Sequence, residues 1–329
     1  MSKNNTSRFD KKLLAPKHWL TWTGIGLLWL LAHLPWAIQL RIGAGIGRLF
    51  YRLGPQRVSD TRINIGLCFP EKGEAEREAM VKDVFRNTGI SIFETLGAWF
   101  LGVDYFRDKV TVHGEENIKA ALAAGRSYFL VGPHFTTLDL YGTLASSYIC
   151  VDMVYRPQTN PVMEYIMTRG RSSSQGSMIS HRDMRLLLRR IRDGHNVWYA
   201  IDQDYGAQQA VFVPFFGVPA ATLTTVSRLA TAHKLPVFFI GCRREGDRQQ
   251  YHLTFTSLLE NFPSGDDVSD TTRVNLEVEK LVRQAPTQYM WFHRRFKTQP
   301  PGQKPPYPPK PKELRRQRAA VLAAEQDKA

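Results

Sequence analysis

Between Trp19 and Leu40 the chain runs for 22 residues, WLTWTGIGLLWLLAHLPWAIQL, without one Asp, Glu, Lys or Arg. Such a run must be covered by protein or by lipid, and about 20 apolar residues are enough to cross a bilayer as a helix. Four of the seven tryptophans fall inside it (Trp19, Trp22, Trp29 and Trp36), a composition suited to a headgroup interface. His33, Pro35 and Gln39 weaken its far end, and Trp19 to Ala32 alone is short for a span. Residues 18–40 therefore read as a membrane-anchor helix, single-pass or tightly bound, with a buried or interfacial helix as the alternative. No small-x-small site follows the run, which argues against a cleaved signal peptide.

Charge does not orient this anchor. Lys11, Lys12 and Lys17 precede it, and Arg41, Arg48, Arg52, Arg57 and Arg62 follow it. Over the whole chain, 44 Lys and Arg stand against 30 Asp and Glu, a net +14 that suits an anionic partner. The three cysteines, Cys68, Cys150 and Cys242, are far apart and form neither a zinc motif nor a disulfide framework.

Residues 1–17 form a basic N-terminus, and residues 41–109 carry apolar positions at helical spacing. From residue 110 to 298 the texture changes to short apolar runs alternating with helical stretches. Tyr128 to Val131, Ile149 to Tyr155, Val197 to Ile201, Pro236 to Gly241 and Tyr251 to Phe255 read as strands. Helices are predicted over Thr136–Ser147, Asp183–Asp193, Thr222–His233 and Thr271–Gln284. This alternation is that of an α/β sheet covered on its faces. Residues 299–329 form a proline-rich basic tail, with an extended linker over Pro300–Pro311 and a weak basic helix after Glu313.

Four segments could carry chemistry. In SYFLVGPHFTTLDL a buried strand gives way to a Gly-Pro turn, leaving His134 at the strand's carboxyl end, where α/β sheets bind ligands. Asp139 follows five residues later. One turn into a helix, it could reach back to the ring, fix its tautomer and stabilise the imidazolium of a general base. In VWYAIDQDYG a strand ends in Asp202 and Asp204, a pair fit to bind a divalent ion, act as acid and base, or simply turn the chain. Arg156, Arg169 and Arg171 suit bidentate recognition of phosphate or carboxylate. His293, Arg294, Arg295 and Lys297, interleaved with Trp291 and Phe296, suit a phospholipid headgroup surface better than nucleic acid. No GxSxG elbow, phosphate loop or HExxH is present. Gly43, Gly45 and Gly47 follow an apolar helix rather than a strand, so they are no dinucleotide fingerprint.

Taken together, the segments resemble the late acyltransferases of lipid A biosynthesis. The resemblance runs from PKHWLTWTGIGLLWLLAHLPW through NIGLCFPE, ETLGAWF, LVGPHFTTLDL, VYRPQTNP, WYAIDQDYG and VFVPFFGV to APTQYMWFHRRFKT. It implies an α/β fold, a mixed sheet flanked by helices and related to glycerolipid acyltransferases. The implied reaction moves a fatty acyl chain, lauroyl first among the candidates, from acyl carrier protein to a hydroxyl on an acyl chain of a Kdo-bearing lipid A precursor. The setting is the inner membrane, with the catalytic domain cytoplasmic. The resemblance makes His134 the base, Asp139 its orienting partner, and Arg171 and Asp202 active-site residues. Arg156, Arg169, Asp204, His293, Arg294 and Arg295 remain candidate substrate contacts. The thioester supplies the activation, so no cofactor, metal or nucleic acid is called for. The rivals are an acyltransferase acting on another glycolipid, a metal-dependent glycosyltransferase using Asp202 and Asp204, and a non-catalytic lipid-binding protein.

Overall fold

The computed structural model describes residues 9–123, 125, 127–172 and 176–309. The basic helix expected after Glu313 lies outside these residues. Four helices come first: α1 (Trp19–Ala32), α2 (Trp36–Leu53), α3 (Pro55–Cys68) and α4 (Glu74–Phe100). The α/β part follows as β1 (Val110–His113), α5 (Glu115–Ala123), β2 (Phe129–Val131), α6 (Leu138–Ala145), β3 (Val151–Tyr155) and α7 (Pro161–Ser172). It continues with β4 (Met178–Ser180), α8 (Met184–Arg192), β5 (Asn196–Tyr199), β6 (Ala210–Phe215) and β7 (Val218–Leu223). It ends with α9 (Thr225–His233), β8 (Val237–Arg244), β9 (Tyr251–Phe255) and α10 (Asp267–Gln284).

The expected anchor is not one helix. Pro35 has no amide hydrogen to continue α1, and it serves as the N-cap of α2. The Gln39 side chain folds back and donates to Ala32 O at 2.9 Å and Leu34 O at 2.6 Å, tying the two helices into a hairpin. With 14 residues α1 is about 21 Å long, short of the ~30 Å of a bilayer core. Among the described residues no helix is long and apolar enough to cross a membrane. The hairpin still keeps large apolar side chains outward: Trp19, Leu20, Leu27, Trp29 and Leu30 on α1, and Ile38, Leu49, Phe50 and Leu53 on α2. Lys11, Lys12, Lys17, Arg41, Arg48 and Arg52 are exposed around them.

Helix α4 joins this layer to the sheet. At its crossing with α2, a Cβ on Gly89 would stand 2.1 Å from the Gly43 carbonyl oxygen, so backbones meet where side chains cannot fit. This packing is the use of Gly43 and Gly47 in α2, while Gly45 faces open space. Further along α4, Glu94 accepts from Arg244 Nη1 at 2.8 Å in a fully buried ion pair, and Asn87 takes the other guanidinium arm.

Seven strands form a mixed sheet in the order β1-β9-β8-β2-β5-β3-β4. All neighbours are parallel except β8 and β9. Strands β6 and β7 make a separate antiparallel hairpin. The central strands are short, apolar and buried on both faces, as in sheets covered by crossover helices. The core contains Phe129, Leu130, Val131, Val197, Phe238, Phe239 and Ile240, packed with Val278 and Val282 of α10. The start of the proline-rich segment is no free linker: Tyr307 is buried, donates to Asn64 Oδ1 at 2.5 Å and accepts from Phe296 N at 3.0 Å.

Candidate active site

Strand register brings the site together. Val131 of β2 pairs with Tyr199 of β5 in parallel, so three residues beyond each partner, His134 and Asp202 emerge side by side. His134 Nδ1 donates to Asp202 Oδ1 at 2.6 Å, and the His134 backbone N–H donates to Asp202 Oδ2 at 2.7 Å. One carboxylate thus holds both ring and backbone. Burial would push the Asp202 pKa up. The charge on His134 and the hydrogen bonds from its ring, its backbone and the Tyr289 hydroxyl outweigh burial and hold it at about 2. With Nδ1 committed to Asp202, Nε2 is left as the basic nitrogen.

The loop bearing His134 is clamped on its other side. Met290 N donates to His134 O at 3.0 Å and Thr136 N to Gln288 O at 2.8 Å. The Gln288 side chain in turn brackets the backbone of Arg244, the residue whose guanidinium is buried against Glu94. A Cβ on Gly132 would meet Ile240 O at 2.8 Å and Trp198 Nε1 at 3.0 Å, so the turn before His134 admits only glycine without a shift.

His134 opens onto a cavity of about 730 Å³, walled by Leu138, Met153, Met167, Trp198, Arg171 and His293 among others. Its rim residues follow the carboxyl ends of neighbouring strands: Arg156 after β3, His181 and Arg182 after β4, Gln203 and Tyr205 after β5. The placement is the one expected for a ligand site on an α/β sheet.

Asp139 does not hold the imidazole. Its carboxylate accepts from Arg171 Nε at 2.6 Å and Nη2 at 3.2 Å, and from Trp99 Nε1 at 2.9 Å. It lies in the first turn of α6, facing α4 and α7, and so positions Arg171 on the cavity wall. Trp99, near the end of α4, reads from the sequence as part of the apolar face of a core helix, with Ile92, Phe93 and Leu96. Its signal was a tryptophan among small and apolar residues in ETLGAWF, which reads equally as core.

Several predicted contacts are spent elsewhere. Arg169 donates to the Tyr165 hydroxyl at 2.8 Å and borders a different recess, lined by Phe9, Trp22, Trp99 and Phe100. Asp204 accepts from Thr298 N at 2.6 Å, Thr298 Oγ1 at 2.8 Å and Gly206 N at 2.8 Å. It staples the C-terminal segment and does not pair with Asp202. Among the described residues, no cluster of three or more His, Cys, Asp or Glu could hold a metal ion. Arg294 is committed to Asp60 and to Pro308 O, and the buried Arg295 to Ala221 O and Thr222 Oγ1. Of the HRR triplet, only His293 reaches the cavity wall.

His293 lies 6.0 Å from the His134 ring, centroid to centroid. Burial first, and the charge of His134 second, lower its pKa to about 4. Gln203 Nε2 stands 3.3 Å from its Nε2; with the amide donating, the proton sits on Nδ1. The unfolded chain takes a proton at this histidine near pH 6.5 and the folded chain only near pH 4. Between those values the unfolded state binds more protons, so stability falls as pH drops. Denaturant unfolding at pH 7 and pH 5 is expected to show a loss about 2 kcal/mol smaller for His293→Phe than for wild type. Equal losses would place the ring in a far more open setting than this one.

A buried carboxylate holding an imidazole at the edge of a cavity, set at the strand ends of a mixed sheet, marks the chain as an α/β enzyme with a general base at its site. Sequence comparison supplies the group transferred and the family. The model for bacterial lipid A biosynthesis acyltransferases matches residues 6–298, and the chain belongs to that family. It is 39% identical over 303 residues to the lipid A biosynthesis lauroyltransferase of Escherichia coli K12, covering 91% of this chain and 98% of that one. It is 37% identical over 302 residues to the palmitoleoyltransferase of the same organism, covering 90% and 97%. Among solved structures, a 1-acyl-sn-glycerophosphate acyltransferase from Thermotoga maritima aligns distantly, at 14% identity and a TM-score of 0.36 over 74% of this chain and 96% of that one.

Proposed function

We propose that the enzyme transfers laurate from acyl carrier protein to a hydroxyl on an acyl chain of a Kdo-bearing lipid A precursor, at the cytoplasmic face of the inner membrane. The observation that carries the reading is the His134–Asp202 pair facing a cavity large enough for an acyl chain. His134 Nε2 takes the proton of the acceptor hydroxyl as its oxygen attacks the thioester carbonyl carbon. The tetrahedral oxyanion forms near the positive charge of Arg171, which Asp139 and Trp99 hold on the wall. The C–S bond then breaks, the imidazolium returns its proton to the leaving thiolate, and the products are an ester and a free thiol. Leu138, Met153, Met167 and Trp198 supply the apolar lining the acyl chain needs.

The α1–α2 hairpin supports residence at a membrane. Its outward Trp and Leu side chains and surrounding Lys and Arg suit a helix pair lying in the interface and drawn to anionic lipid. Membranes carrying the enzyme, incubated with lauroyl-acyl carrier protein and the tetra-acylated Kdo-bearing precursor, are expected to yield a lipid heavier by one lauroyl group in the mass spectrum. Absence of any mass gain across donors of several chain lengths, at matched expression, would refute the acceptor assigned here.

A further inference from the structure

Helix α8 (Met184–Arg192) carries more uncompensated charge than its fold requires. Arg185, Arg189 and Arg192 recur at intervals of four and three, which puts them on one face of the helix, and Arg182 stands in the turn just before its N-cap, Asp183. All four are exposed, and no carboxylate among the described residues forms an ion pair with them. Arg190, on another face, is instead paired with the buried Asp152 through two bonds of 2.6 and 3.0 Å. The apolar side of α8 is turned inward: Leu187 and Ile191 are buried, and Leu186 and Leu188 pack on the core. Like charges three and four residues apart repel each other, so this face is maintained against a small cost.

The stripe also has a definite place. Its first member, Arg182, lines the His134 cavity with His181 and Arg156, and the other three follow on the helix that leaves this turn. We propose that this face is the docking surface for the acyl donor's protein carrier, through an acidic patch on the carrier that meets the four arginines. The inference rests on the carrier-bound donor proposed above. A donor tethered to a protein must hold that protein beside the cavity mouth while its thioester reaches His134, and the stripe meets that requirement. A helix lying in lipid would turn apolar side chains outward, whereas only Met184 is exposed among those of α8. Single-stranded nucleic acid would call for aromatic platforms between the charges, and α8 has none.

The test compares wild type with Arg185→Glu/Arg189→Glu and with Arg185→Gln/Arg189→Gln, none of which alters a cavity residue. Each is assayed with lauroyl-acyl carrier protein and with the small thioester lauroyl-pantetheine over a range of salt concentrations. The charge reversal is expected to raise KM for the carrier-bound donor at least about tenfold with kcat nearly unchanged, and to flatten its salt dependence. The neutral variant should fall between, and pantetheine turnover should be the same in all three, which also reports that each is folded. An unchanged KM for the carrier-bound donor would overturn the docking surface while leaving the donor assignment standing. So would unchanged carrier kinetics combined with lost binding to phosphatidylethanolamine vesicles containing phosphatidylglycerol, which would make the stripe a lipid contact. A wild-type enzyme using pantetheine but not the carrier would overturn the donor assignment and the surface with it.

Discussion

Asp202→Asn is expected to leave the protein folded and to cut acyl transfer by about 10³–10⁴-fold. The carboxylate accepts from the ring and the backbone of His134, at 2.6 and 2.7 Å, and from the Tyr289 hydroxyl. Asparagine offers one acceptor and one donor in place of two acceptors. Keeping the backbone bond to its oxygen points its NH₂ at Nδ1, which must then accept, and the imidazole proton moves to Nε2. The nitrogen facing the cavity becomes a donor, and the base is gone. His134→Ala should cost about 10²–10⁴-fold by the direct route of removing the proton acceptor. Because Asp202 is held at about pKa 2, it stays ionised throughout the neutral range. Single-turnover rates for the three proteins measure these losses. An Asp202→Asn enzyme within tenfold of wild type would mean that the tautomer is set by some other group.

The same pair shows where the sequence was legible and where it was not. His134 could be found because a buried strand, a Gly-Pro turn and a polar stretch are local features. Its partner could not be chosen, because nearness in sequence favoured Asp139 and nearness in space followed from the pairing of Val131 with Tyr199. The main strands are visible as apolar runs, but β1 alternates half-buried with exposed residues and β4 offers only Met178 and Ile179 as apolar positions. Charged side chains were harder still. Arg171 and Arg169 lie on one helix, two residues apart, and one reaches the cavity while the other does not. Arg294 looked available until Asp60, 234 residues away, was found beside it. Whether an arginine is free for a substrate depends on such remote partners. The apolar run is long enough by count to span a bilayer, and its weak far end at Pro35 and Gln39 is where the structure divides it between two helices.

Asp139→Asn separates the two roles this residue could have. The structure gives it Arg171 and Trp99 as partners and gives His134 to Asp202. The variant keeps an acceptor for the Trp99 indole but loses the negative charge that pins a guanidinium only 12% exposed. A guanidinium buried to that degree and deprived of the carboxylate's charge is held less firmly at the cavity wall, and its stabilisation of the oxyanion weakens. Acyl transfer is expected to fall about 10²-fold, the cost of removing one preorganised oxyanion contact. The acidic limb of the pH–rate profile should stay where it is in wild type, since the base and its carboxylate are untouched. Arg171→Gln should fall by a similar factor, and Asp139→Asn/Arg171→Gln no further than either single variant, because the second change removes what the first had already displaced. Independent, multiplying losses would show Asp139 acting apart from Arg171. If the limb also moved with Asp139→Asn, the imidazole would be answering to the wrong aspartate, and the register of β2 and β5 would not be what selects the catalytic pair.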